Sequence, residues 1–168
     1  MKTKLNISLN FFKVIMKYII ALFISIMVIE YIVALQIVSG ESMRPNYRDQ
    51  DILLISKVRY RIFAPQRFDV ISFLSKDNIP MMKRVIGLPG DTVRFENNNL
   101  YINNELLTEY FSRGYTTEFT SGLIPDNYFF VLGDNRERSL DSRSDQLSFV
   151  HKDQFIGRVV FRLWRSNR

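Results

Sequence analysis

Ser42 stands in the run Ser39-Gly40-Glu41-Ser42-Met43-Arg44-Pro45, four residues beyond a long apolar stretch. Lys83 stands in a second, strand-like run, Pro80-Met81-Met82-Lys83-Arg84-Val85-Ile86-Gly87. A serine hydroxyl is a poor nucleophile until a base takes its proton, and an amine can be that base only where its surroundings favour the neutral form. Burial provides such surroundings, lowering a lysine pKa from about 10.4 by up to several units. The pair therefore points to a serine hydrolase working at a membrane surface. Each residue has a plainer reading on its own, because serine before a proline turn usually serves the turn and most strand lysines face solvent. Two details favour chemistry. Gly40 lets the backbone approach a substrate closely, and strand alternation puts Lys83 and Arg84 on opposite faces, so at least one of them needs a special reason to be there.

A third cluster, Gly133-Asp134-Asn135-Arg136-Glu137-Arg138-Ser139-Leu140-Asp141-Ser142-Arg143, is dense in polar groups. Its charge content suits a solvated, salt-bridged loop. Its acids lack the spacing and terminal glutamate of an EF-hand calcium loop, so calcium is discounted.

Composition narrows the chemistry further. The 168 residues hold no cysteine, which excludes disulfides, thiolate catalysis and cysteine-ligated zinc. The single histidine, His151, sits in Ser148-Phe149-Val150-His151-Lys152, a stretch without a catalytic pattern, and reads as a surface or loop residue. No metal site and no cofactor is expected. The net charge is +6, and residues 1–38 contribute to it with four lysines (Lys2, Lys4, Lys13, Lys17) against one acid, Glu30. Beyond them the arginines are scattered among acids, which argues against a nucleic-acid partner.

These residues need elements to position them. From Tyr18 to Val38 the chain reads YIIALFISIMVIEYIVALQIV, with one charge, against the roughly 20 residues a helix needs to cross a bilayer core. No small-residue cleavage site follows, so an uncleaved anchor over 18–38 is expected. The upstream lysines place residues 1–17 in the cytoplasm and 39–168 outside it. Glu30 would be costly near the middle of a span; a span starting nearer Phe11 moves it toward the outer interface.

After the anchor, short runs separated by turn residues predict strands over 51–58, 69–74, 81–88, 92–96, 100–103, 128–132 and 155–164. Asn97-Asn98-Asn99 and Asn103-Asn104 mark hairpin loops, and residues 109–127 read as a surface excursion. The expected fold is mostly β: one transmembrane helix followed by an antiparallel domain of coiled sheets.

Together the three polar runs, in this order and behind an anchor, resemble the bacterial type I signal peptidases, membrane-bound Ser-Lys proteases that remove signal peptides from exported proteins. The similarity extends over residues 18–164. It implies a signal-peptidase/LexA-like β fold, Ser42 as nucleophile, Lys83 as general base and Ser139 as the hydroxyl orienting the lysine amine. It further implies that Asp141 pairs with Arg84 and Arg143 in a structural network. Val38, Met43 and Met82 are the candidate walls of a pocket for small substrate side chains, the substrate adding as an extended strand. Gly40 stands where some members carry a serine of the oxyanion hole, leaving that task to backbone N–H groups, and Asn46 stands where the family usually has threonine. Implied partners are the signal peptides of exported precursors and the lipid bilayer. Three other readings share parts of the pattern. Self-cleaving repressors and mutagenesis-type peptidases share the chemistry but are soluble; a silent paralogue acting as an envelope interaction protein has no reason to keep Ser42, Lys83 and Ser139; a conjugation-linked pilin-processing peptidase differs only in substrate.

Overall fold

The computed structural model describes residues 2–167, with the side chains of residues 2–10, Ile29 and Arg61 outside the description. Lys2 and Lys4 thus contribute only their place in the helix. The first element, α1, runs over Lys2–Tyr31. Its segment Phe11–Val28 has a mean hydropathy of 2.2, carries none of its surface inside the protein, and is long and apolar enough to cross a membrane. Glu30 lies beyond that segment, in the last turn.

The expectation of one helical span over 18–38 needs correction. The helix ends at Tyr31, and β1 (Val33–Ile37) follows as a strand paired with β2 (Ile52–Ser56). A continuous apolar run carries no punctuation between helix and strand, and periodicity alone does not divide it. What divides it is tertiary. The Lys57 N–H donates to the Ile32 carbonyl at 2.9 Å, and Lys57 Nζ to the Glu30 carbonyl at 2.8 Å, supplying donors to the end of α1.

The remaining strands are β3 (Val70–Leu74), β4 (Pro80–Gly87), β5 (Val93–Glu96), β6 (Asn99–Ile102), β7 (Glu105–Leu107), β8 (Phe119–Thr120), β9 (Tyr128–Leu132), β10 (Val150–His151) and β11 (Phe155–Trp164). They form a seven-stranded sheet in the order β1-β2-β11-β3-β4-β9-β10 and a four-stranded sheet β7-β6-β5-β8, antiparallel at every pairing. The seven expected strands are present with ends shifted by at most two residues; β1, β7, β8 and β10 are additional. Asn97, Asn98, Asn103 and Asn104 all have φ between +49° and +69°, the left-handed geometry of two-residue hairpin turns, so the asparagine pairs close β5–β6 and β6–β7 as expected.

Strands β4 and β9 carry the core because both of their faces are buried. Phe129 and Val131 join Ile71, Phe73 and Val85 in one cluster, while Phe130 and Leu132 join Ile86, Val93 and Phe95 in a second, beneath the smaller sheet. A third cluster, Val38, Met43, Leu53, Ile55, Val70 and Met82, lies under the Ser42 loop. Full burial of such side chains stabilises by about 1.5–3 kcal/mol each.

Two further features bear on the site. Asp51, wholly buried, accepts hydrogen bonds from the Arg48 N–H (2.9 Å), the Ser166 N–H (2.7 Å) and Arg162 (3.2 Å), tying the loop after Ser42 to the end of β11. Burial alone would raise its pKa, but these donors outweigh that and hold it below the usual carboxylate range. Strand register aligns Leu35, Leu54 and Phe161 in one row and Ile37, Ile52 and Trp164 in the next, two apolar rows on the strands that follow α1. Leu35, Ile37, Phe161 and Trp164 are all more than half exposed.

Asp51→Ala deletes three charge-assisted hydrogen bonds at once and is expected to cost about 3 kcal/mol of unfolding free energy, measured by denaturation in detergent.

Candidate active site

The site lies where the Ser42 loop, β4 and the loop after β9 converge. Strand β3 pairs with β4 in a register that sets Ile71 opposite Lys83 and Val70 opposite Arg84, so the two cations diverge as alternation requires. Lys83 Nζ lies 2.8 Å from Ser42 Oγ. The lysine is only 3% exposed, and this is the one hydrogen bond of its amine among the described residues. Desolvation lowers its pKa from 10.5 to about 8; the charges of Asp141 and Asp134 act in the opposite sense but do not win.

Arg84 turns the other way, to a carboxylate that sequence reasoning missed. Its Nε and Nη2 bind Asp134 Oδ1 and Oδ2 at 2.8 and 2.6 Å, a bidentate pair with Asp134 fully buried. The implied pairing of Asp141 with Arg84 is therefore corrected. The reason is register: Arg84 faces Leu132 of β9, and Asp134, two residues on, lies on the same side. Alternation from Leu132 was the available signal. The other half of the implied network is present, with Arg143 Nε and Nη2 binding Asp141 at 2.8 and 2.9 Å. Asp141 also accepts from the Gly133 N–H at 3.1 Å.

Asn46, at the position where threonine is usual, donates Nδ2 to both Asp134 Oδ2 and the Phe111 carbonyl at 2.8 Å. It thereby links the Ser42 loop to the Arg84–Asp134 pair, across 88 residues of sequence that left no signal of the contact. The 109–127 segment is more than a surface excursion, since Glu109 forms a buried ion pair with Arg136. His151 lies on β10, where its Nδ1 accepts from the Asp153 N–H and caps the next turn.

Ser139 is brought to the site but not to the lysine. Its Oγ is buried with no hydrogen-bond partner, so the implied orienting bond to Lys83 is absent. It abuts Gly133, where an added Cβ would meet Ser139 Oγ at 2.2 Å and the Ser42 carbonyl oxygen at 2.6 Å, leaving glycine as the only residue that fits. Gly40 has open space around it, but its φ of +87° would strain any serine in its place.

A cleft of about 710 Å³ opens beside the serine, and Val38, Met43 and Met82 line it together with Leu35, Ile37 and Leu140. Two strand edges flank it. Strand β1 pairs only with β2, and residues 80–83 of β4 pair only with β3, because β9 joins β4 from Arg84 onward.

An apolar helix leading into an antiparallel β domain, with a buried amine set against a serine hydroxyl, is the arrangement of a membrane-anchored serine peptidase. The family model described as signal peptidase, peptidase S26, matches residues 11–164. Signal peptidase I of Bacillus caldolyticus is 36% identical over 143 residues, covering 76% of this chain and 78% of that protein. A probable signal peptidase I-2 of Synechocystis is 32% identical over 152 residues, covering 86% of this chain and 69% of that one. The crystal structure of a signal peptidase I from Enterococcus faecalis V583 is similar with a TM-score of 0.53 at 38% identity, covering 58% of this chain and 98% of that one. The chain belongs to the bacterial type I signal peptidases of the S26 family.

The buried amine also makes stability depend on pH. Below about pH 8 the folded protein holds a desolvated ammonium, whereas above 10.5 the amine is neutral folded or unfolded. Between those values the unfolded chain binds more protons, so stability rises with pH. Relative to Lys83→Met, wild type is expected to gain about 3 kcal/mol from pH 8 to 10.5, read from denaturation midpoints.

Proposed function

We propose that this chain is a serine endopeptidase that removes N-terminal signal peptides from exported precursors with a Ser42–Lys83 dyad. The observation that carries the reading is the 2.8 Å approach of a buried amine to Ser42 Oγ. With the amine neutral, Ser42 Oγ–H donates to its lone pair, and the proton passes to Nζ as Oγ attacks the scissile carbonyl carbon. The resulting oxyanion is met by backbone N–H groups, chiefly that of Ser42. Collapse breaks the C–N bond while the Lys83 ammonium returns its proton to the leaving amine, giving an acyl-enzyme and a neutral base. Water then gives a proton to Lys83 as it attacks the ester carbonyl; the C–Oγ bond breaks, the Lys83 ammonium passes that proton to Ser42 Oγ, and the signal peptide leaves as a carboxylic acid with both groups restored.

The cleft and its edges support a substrate bound as an extended strand, main chain along β1 and residues 80–83, with alternate side chains toward Val38, Met43 and Met82. In this reading the Arg84–Asp134 and Arg143–Asp141 pairs hold the loops. The lysine-bearing start of α1 faces the cytoplasm, the β domain lies outside, and the Leu35–Trp164 face rests on the bilayer interface, a setting that suits exposed tryptophan.

Purified protein in detergent, incubated with an exported precursor, is expected to cut at one site mapped by mass spectrometry. Ser42→Ala and Lys83→Met should each lower the rate at least about a thousandfold; equal cutting by either would sink the dyad. The rate should rise with pH through an inflection near 8 as Lys83 loses its proton, and an inflection only at the free-lysine value would count against a buried base.

Trp164 is the only tryptophan in the chain and so reports on its own surroundings. In phosphatidylcholine–phosphatidylglycerol vesicles, lipids brominated near the headgroup should quench its fluorescence more than lipids brominated deep in the core. Quenching by aqueous acrylamide alone would turn this face away from the bilayer.

A further inference from the structure

Asn135 opens the 3-10 turn Arg136–Arg138, a position where an asparagine side chain ordinarily accepts from the turn's own N–H groups. Here it makes no such bond. Both of its donors leave the turn and reach the nucleophile loop instead. Its backbone N–H donates to the Ser42 carbonyl at 2.9 Å, and its Nδ2 to the Glu41 carbonyl at 3.2 Å. The Glu41 carbonyl also accepts from the Arg44 N–H of its own turn at 3.1 Å, whereas the Ser42 carbonyl is reached across the bare face of Gly133.

These two carbonyls belong to the consecutive peptides on either side of the Ser42 Cα. Among the described residues the only cis peptide is Arg44–Pro45, so both are trans, and in a trans peptide C=O and N–H point to opposite sides. Holding the Glu41 carbonyl therefore aims the Ser42 N–H away from Asn135. That N–H has no acceptor among the described residues. On the glycine side, Gly40 sits at φ +87° with no atom within contact of where a Cβ would be, and its N–H is held by Asp49 Oδ1 at 2.8 Å, so the turn enters Ser42 from a fixed start.

We infer that Asn135 is a positioning residue that orients the backbone N–H groups receiving the oxyanion. It rests on the Ser-Lys reading above and acts without touching substrate, through two peptide planes. Preorganised donors aimed at developing charge act on the transition state more than on bound substrate. Loss of the side-chain half of this grip should therefore appear in kcat and leave KM in place.

The test uses the full chain in detergent with a signal-peptide substrate and two variants. Asn135→Ala deletes the side-chain donor; Asn135→Asp keeps the shape but sets a carboxylate oxygen against the Glu41 carbonyl. Both keep the backbone bond to Ser42. Since the donor is misaimed rather than removed, kcat should fall about 10- to 100-fold, less than the 10²–10³ of a deleted oxyanion donor. KM should stay within about twofold and the pH inflection of the rate unchanged, because Lys83 is not touched. Wild-type kcat in both variants, a loss carried by KM, or a displaced inflection would each overturn the inference. So would loss of the melting transition in both, which would make Asn135 a folding residue. A wild type that fails to cut, or a Ser42→Ala variant that cuts, removes the Ser-Lys reading and this inference with it. A cutting wild type with unaffected Asn135 variants removes this inference alone.

Discussion

A lysine amine kept almost entirely from water, with a serine hydroxyl as its hydrogen-bond partner, is the constraint around which this domain is arranged. Such an amine is destabilising while charged, and a carboxylate bonded to it would relieve that cost by fixing the charge. The structure avoids this outcome. Asp134 and Asp141 both lie near enough to raise the lysine pKa, yet each has its oxygens occupied by an arginine fork, so desolvation prevails. The third apolar cluster, with Met43 and Met82 at the cleft, supplies the low-dielectric surroundings.

The two arginine–carboxylate pairs divide a second task between them. Arg84–Asp134 joins β4 to the loop after β9 and, through Asn46, to the Ser42 loop. Arg143–Asp141 closes that later loop on itself and holds Gly133 through its N–H. Gly133 can then pass so close to the Ser42 carbonyl and Ser139 that no side chain fits. The Ser42 loop is thus held from three directions by groups far from it in sequence, while Asp51 anchors its far end to β11. Fixing a flexible turn in this way is the structural counterpart of orientation in catalysis.

Much of this was legible in the chain before folding. Strand positions followed from alternation and turn residues, the hairpins from paired asparagines, and the divergence of Lys83 and Arg84 from the two-residue period of a strand. The apolar start was legible as a membrane helix, but its end was not: residues 33–37 are as apolar as those before them, and only pairing with β2 makes them a strand. The family resemblance implies Asp141 as the partner of Arg84, whereas register gives it Asp134. Ser139 arrived in the right neighbourhood without the expected bond.

The sequence by itself determined the inventory: a serine beyond an apolar helix, a lysine on a strand with an arginine on its other face, and a polar loop rich in acids and arginines. These follow from composition and short-range period, which act between neighbours along the chain. Which carboxylate meets which guanidinium, which carbonyls Asn135 holds, and whether the lysine is dry were decided only in the tertiary structure. The Ser42–Lys83, Arg84–Asp134 and Asn135–Glu41 contacts join residues 41, 50 and 94 apart, and where sheet register sets such contacts a shift of one residue would turn every side chain to the opposite face.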